Sequence, residues 1–138
     1  MKRLFITFAI LGFGVCDSAN STPLSGTKTI GPTGDYASIG AAIADIQTQT
    51  LGGALVLELQ AAYVSSTETF PLVFSNLTTT ASNTLTLRPQ TGATGLAITS
   101  ANTTAATVDL NGAQFVTIDG RPGGAGTAKE LIIENTST

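Results

Sequence analysis

The stretch Ala54-Leu55-Val56-Leu57-Glu58-Leu59 decides the fold, because its apolar residues alternate with a period of two. Successive side chains of a β-strand point to opposite faces, so the three leucines fall on one face while Val56 and Glu58 fall on the other. The segment therefore predicts a strand with one face in a core and the other against water.

The same alternation returns twice at nearly constant spacing. The matching pairs are Leu55/Leu57, Leu85/Leu87 and Val116/Ile118, each following the one before after about 30 residues. A near-constant offset predicts similar strands stacked in register, each covering the apolar side left open by the one before. An antiparallel sandwich that binds carbohydrate remains an alternative, because Asn111-Gly112 is also a strong hairpin signal.

Other short strands are predicted on both sides of these three. The candidates are residues 27–30 as an edge strand, then 70–74, 96–99, 107–110 and 131–134. Each is a short apolar or β-branched run bounded by turn residues, as strands require.

One helix is predicted, over residues 36–49. Isoleucines at positions 39, 43 and 46 recur at spacings of four and three, which gives a narrow apolar stripe. Asp35 is the expected N-cap, and Leu51-Gly52-Gly53 is the expected stop.

The N-terminus predicts export. Met1-Lys2-Arg3 is a basic head, and an apolar run of twelve residues, 4–15, follows it. This is the layout of a secretory signal peptide, too short to cross a bilayer as a helix. We expect cleavage after Ala19, a lead-in over residues 20–34 and an extracellular or cell-surface location; a lipid anchor on Cys16 is the alternative.

Composition narrows the function classes. Charged residues are 11% of the chain, and the four basic residues beyond position 19 form no cationic cluster, which argues against nucleic acid as a partner. The sequence contains no histidine and no cysteine other than Cys16. Ser-His-Asp catalysis therefore lacks its base, and the usual zinc sites lack their ligands. No cofactor or metal is predicted.

Three residues are the only catalytic candidates. Asp119 and Arg121 follow Asp109 after ten and twelve residues, and two carboxylates at suitable separation perform acid and base work on a glycosidic bond. The favoured interpretation is structural, with Asp119 shaping a turn and Asp109 facing water. Residues 120–129 are interpreted as a loop between strands.

A resemblance adds to these patterns. Its residues are Thr29-Ile30-Gly31, Gly34-Asp35-Tyr36-Ala37-Ser38-Ile39 with Ala42-Ile43, 55–59, Val116-Thr117-Ile118-Asp119-Gly120 and Leu131-Ile132-Ile133-Glu134-Asn135. Together they resemble the opening of secreted bacterial right-handed parallel β-helix proteins of the pectate-lyase-like superfamily. The resemblance implies a mainly β fold, a right-handed parallel β-helix whose first coil is capped by a short helix, over residues 35–138.

The predicted function is that of a non-enzymatic secreted or cell-surface protein, structural or adhesin-like. Its partners would be glycans or other surface proteins. The alternative is the N-terminal part of a polysaccharide lyase or glycoside hydrolase of the same fold. Because the chain stops directly after a predicted strand, we expect a piece of a longer protein or self-association through the C-terminal strand edge.

Overall fold

The computed structural model describes residues 22–138. The predicted signal peptide, its cleavage point and Cys16 lie outside the described residues. Residues 22–138 form a mainly β fold, with one α-helix and two 3₁₀ turns in this part of the chain. Its elements are β1 (Leu24–Ile30), α1 (Ile39–Thr48), β2 (Leu51–Leu59), a 3₁₀ turn (Ser65–Thr67), β3 (Leu72–Val73), β4 (Leu85–Pro89), β5 (Leu96–Ser100), β6 (Val108–Asp109), β7 (Val116–Ile118), a second 3₁₀ turn (Pro122–Gly124) and β8 (Leu131–Asn135).

Strands β1, β2, β4 and β7 form a four-stranded sheet in that order, here called sheet I. All of its pairs are parallel, and Leu55 lies opposite Leu85, which lies opposite Val116. The predicted stacking of equivalent strands is therefore confirmed. We call the two aligned sets, Leu55–Leu85–Val116 and Leu57–Leu87–Ile118, the central rows.

Two smaller sheets complete the strand pairing among residues 22–138. Sheet II joins β3 to β6 and sheet III joins β5 to β8, again with parallel strands. Register partners are further apart in sequence in these two sheets than in sheet I. The pairs compared are Leu72/Val108 and Leu96/Leu131 in the smaller sheets, and Leu55/Leu85 and Leu85/Val116 in sheet I. Because every described strand pair is parallel, the antiparallel sandwich is wrong for this part of the chain.

Helix α1 begins later than predicted, at Ile39, and Asp35 is not its cap. Ser38 caps the helix, since its hydroxyl accepts a hydrogen bond from the Ala41 N–H at 3.0 Å. The Asp35 carboxylate instead accepts from the Thr29 N–H at 2.8 Å and from the Thr29 hydroxyl at 3.0 Å. These bonds hold residues 35–36 beside β1, where Tyr36 forms a parallel bridge with Ile30, so this segment is not free to be helical.

The predicted helix stop is also wrong. Helix α1 ends at Thr48, and Leu51-Gly52-Gly53 is the beginning of β2. The physical reason is pairing, because Leu24 of β1 lies opposite Leu51 and its N–H donates to the Thr50 carbonyl at 3.0 Å. A neighbouring strand recruits these residues before a left-handed helix end forms.

The core is one cluster of buried apolar side chains, to which sheet I, helix α1 and the two smaller sheets all contribute. The side chains of Leu55, Leu57, Leu85 and Leu87 are fully buried, as are those of Phe74, directly after β3, and of Ile98 in β5. The predicted isoleucine stripe of α1 is buried too, with each member at most 5% exposed. The alternation in β2 is thus confirmed, and the helix face packs inward as the spacing indicates.

Candidate functional site

Asp119 and Arg121 form a close ion pair. The guanidinium of Arg121 donates from Nη2 to Asp119 Oδ2 at 2.8 Å and from Nε to Oδ1 at 2.9 Å. The Arg121 N–H also donates to Oδ1 at 3.0 Å, which closes a turn after β7. These side-chain and backbone hydrogen bonds from Arg121 lower the pKa of Asp119 to about 2, so this carboxyl is ionised at neutral pH.

Asp109 lies elsewhere, in β6 of sheet II, and its side chain is exposed. Its carboxylate accepts from the Asn111 N–H at 2.9 Å and so shapes the turn that follows the strand. Within residues 22–138 no hydrogen bond or ion pair joins Asp109 to Asp119 or Arg121. The structure pairs two of the three candidates with each other and uses the third in a separate turn.

A second ion pair crosses sheet I and was missed from the sequence. Glu58 Oε1 accepts from Arg88 Nη2 at 2.8 Å and from Nε at 3.0 Å. The two residues are register partners in β2 and β4, so the offset that aligns the leucines of these strands could have found them. The loop of residues 120–129 lies against this pair, because a Cβ added at Gly124 would be 2.5 Å from Arg88 Nη1.

Glu68 holds the N-terminus of α1. Its two carboxylate oxygens accept from the Ile39 N–H at 2.6 Å and the Gly40 N–H at 2.9 Å. The Tyr63 hydroxyl donates to the same carboxylate at 3.1 Å, and burial followed by the charge of Glu68 raises the pKa of that phenol. An anion at a helix N-terminus satisfies unpaired N–H groups and is favoured by the helix dipole, so this cluster is structural.

A polar cleft lies where the turns after β3 and β6 meet. Its volume is about 400 Å³. Its lining residues are Asn76, Leu77, Thr79, Asn111, Gly112, Ala113 and Gln114. Asn76 and Asn111 both adopt left-handed backbone conformations, with φ of 53° and 42°. No sequence motif marked this cleft, although Asn111 belongs to a corner that the sequence identified.

Comparison with family models, with curated proteins and with solved structures found no match to this chain. Among residues 22–138, no three or more His, Cys, Asp or Glu side chains gather as metal ligands. The one helix of this part of the chain is not long enough to cross a membrane.

Proposed function

We propose that the protein is a non-enzymatic secreted or cell-surface scaffold whose strands wind as a right-handed parallel β-helix. The observation that carries this proposal is the register of sheet I, where strands about 30 residues apart align their inward residues in the central rows. Return to one parallel sheet at such spacing, with other parallel sheets visited between returns, is what a solenoid requires, and it supports the proposal.

The order in which the chain visits its sheets supports the winding. After β2 of sheet I come β3 of sheet II, β4 of sheet I, β5 of sheet III, β6 of sheet II, β7 of sheet I and β8 of sheet III. The 3₁₀ turn at Ser65–Thr67 contacts β5 and takes the place of a sheet III strand before it. Helix α1 contacts β1 and β3, as expected of a cap over the first coil.

The chemistry of the candidate residues favours a structural role. Asp119 is held ionised by Arg121, which makes it a poor general acid at neutral pH, and Asp109 is engaged in a turn. Glu58 and Arg88 neutralise one another across adjacent strands. Each of these groups is occupied in stabilising a turn or a strand pair.

Cross-linking of the outward face of sheet I tests the winding. In a Cys16→Ser background, Val56→Cys with Thr86→Cys places two thiols at register partners about 4.8 Å apart between Cα atoms, within disulfide reach. Val56→Cys with Thr117→Cys is the matched control, since these positions lie two strands apart at about 10 Å. Mass spectrometry should find an intramolecular link in the first variant alone, and equal linking in both would refute the stacked register.

Export and activity are tested together. We expect the full chain expressed in a bacterial host to leave the cytoplasm and a chain lacking residues 1–19 to stay in it.

We also expect the purified protein to release no reducing ends or unsaturated products from neutral or acidic polysaccharides. Turnover that is lost in Asp119→Asn or Arg121→Ala would favour the lyase or hydrolase instead.

A further inference from the structure

We propose that the cleft between the turns after β3 and β6 is a binding site for an uncharged saccharide, one or two sugar rings in size. The proposal rests on the scaffold proposed above, because the stacking of two successive turns creates the cleft. Its volume of about 400 Å³ lies within the roughly 300–1,000 Å³ typical of small-ligand sites.

The walls of the cleft are held in place by hydrogen bonds between the two turns. The Thr79 hydroxyl donates to the Gln114 carbonyl at 2.8 Å, which ties the far sides of the turns together. At the strand end, the Phe74 N–H donates to the Asp109 carbonyl at 2.8 Å. A cleft fixed on both sides is preorganised, so a ligand does not have to order its walls.

The lining groups match hydroxyl-rich ligands. Three of the lining residues, Asn76, Asn111 and Gln114, are exposed and carry side-chain amides. Within residues 22–138 these amides have no hydrogen-bond partner, which leaves them free to bind a ligand. Each amide offers two donors and one acceptor, which complements sugar hydroxyls that also donate and accept. By contrast, the side-chain amide of Asn83 donates to the Leu51 carbonyl at 2.8 Å and is occupied in the fold.

Charge and apolar exposure narrow the ligand class. No charged residue lines the cleft, and the turn that lines it follows Asp109, in a chain whose net charge is −3. A uronic or sialic acid would meet no cation there. The apolar part of the lining is small, with Leu77 and Ala113 as its members, so the polar groups decide which ligand fits.

Titration by heteronuclear NMR tests the proposal. Neutral gluco- and galacto-oligosaccharides are the probes, and an oligogalacturonate of equal length is the charged comparator. We expect saturable shifts of the lining amides with millimolar dissociation constants for a neutral probe, and weaker binding of the uronate. Asn111→Gly keeps the left-handed backbone while removing the amide, and Gln114→Ala removes another; each should weaken binding about tenfold.

Gln90→Ala is the matched control, because Gln90 is an amide outside the cleft that hydrogen-bonds through its backbone only. It should leave binding unchanged. The absence of saturable shifts with every neutral probe would overturn the proposal, as would tighter binding of the uronate or equal loss in Gln90→Ala. A failed titration with a successful Val56/Thr86 cross-link would refute the saccharide site alone, whereas failure of the cross-link would refute the scaffold.

Discussion

The two edges of sheet I are built differently. At β1, the carboxylate of Asp35 accepts from the Thr29 N–H, and the Tyr36 N–H donates to the Thr29 carbonyl at 3.0 Å, so residues 35–36 cover part of the outer edge. At β7, pairing within residues 22–138 is with β4 only. Val116 and Ile118 are half-buried there, and Phe115 beside them is 47% exposed.

The two edge strands also carry different types of residue at the positions of the central rows. In β1 the row positions are occupied by Gly26, opposite Leu55, and Lys28, opposite Leu57, so this strand has no large apolar side chain to leave exposed there. In β7 the row positions are occupied by Val116 and Ile118. A lysine on an edge strand and a backbone irregularity are known ways of protecting a sheet edge, and β1 has both, with the Lys28 ammonium 3.4 Å from the Asp35 carboxylate. A row member is fully buried only where a strand lies on each side of it.

The largest effect should come from the middle of a row. Leu87→Ala should lower the free energy of unfolding by about 2–5 kcal/mol, because the side chain is fully buried between β2 and β7 and leaves a cavity. Urea unfolding followed by circular dichroism measures this loss.

Ile118→Ala is the matched comparison, since Ile118 lies opposite Leu87 in the same row but is half-buried. We expect less than half the loss seen for Leu87→Ala. Equal losses would mean that position along the row does not determine burial, and the contrast between the edges would fail.

An intermediate effect is expected at Glu68. Glu68→Ala should cost about 1–3 kcal/mol, because the Ile39 and Gly40 N–H groups lose a charged acceptor in a partly buried place. Hydrogen exchange of those two amides should also accelerate. Glu134→Gln in β8 is the control: its carboxylate accepts from the Thr99 hydroxyl at an exposed position, so a change within about 0.5 kcal/mol is expected. Equal costs would contradict the capping role.

The smallest effect on stability should come from the pair after β7. The folded pKa of Asp119, about 2, lies below its usual 3.8, so the pairing stabilises the fold above 3.8 and this contribution is lost as pH falls through 2. Arg121→Ala should raise the pKa of Asp119 towards 3.8, as read from carboxyl carbon shifts in an NMR titration. Arg121→Lys should give a value between the two, and an unchanged pKa in Arg121→Ala would show that the ion pair is absent in solution.

The strand positions and the register of sheet I could be predicted because two simple periods coincide. Alternation in β2 defines its inward face, and a repeat of about 30 residues aligns the equivalent strands. The ends of helix α1 could not be predicted. Asp35 is a good cap in isolation, but Thr29 competes for its carboxylate, and β1 recruits Leu51 into a strand.

The candidate site was predicted only where its contacts are local. Asp119 and Arg121 are two residues apart, and the turn that joins them is visible in the sequence. Glu58 and Arg88 follow from the same register, but the repeat was identified from the inward apolar residues and not from the outward ones. The bonds from Ile39 and Gly40 to Glu68 join segments outside any strand register, and the cleft depends on two turns meeting, so neither has a sequence signal.

The repeat lengths of the three sheets are unequal. Strand register in this fold is therefore fixed, whereas the length of the loops between strands varies. The chain returns to sheet I between Leu85 and Val116 but needs a longer stretch, from Leu96 to Leu131, to return to sheet III. The additional residues lie in the loop of residues 120–129. No residue of this loop belongs to the buried core, so insertions and deletions there should leave the core packed, whereas one residue added within a strand would invert every side chain beyond it. Sequence divergence should therefore accumulate at the corners, and that is where new surface properties arise at least risk to folding.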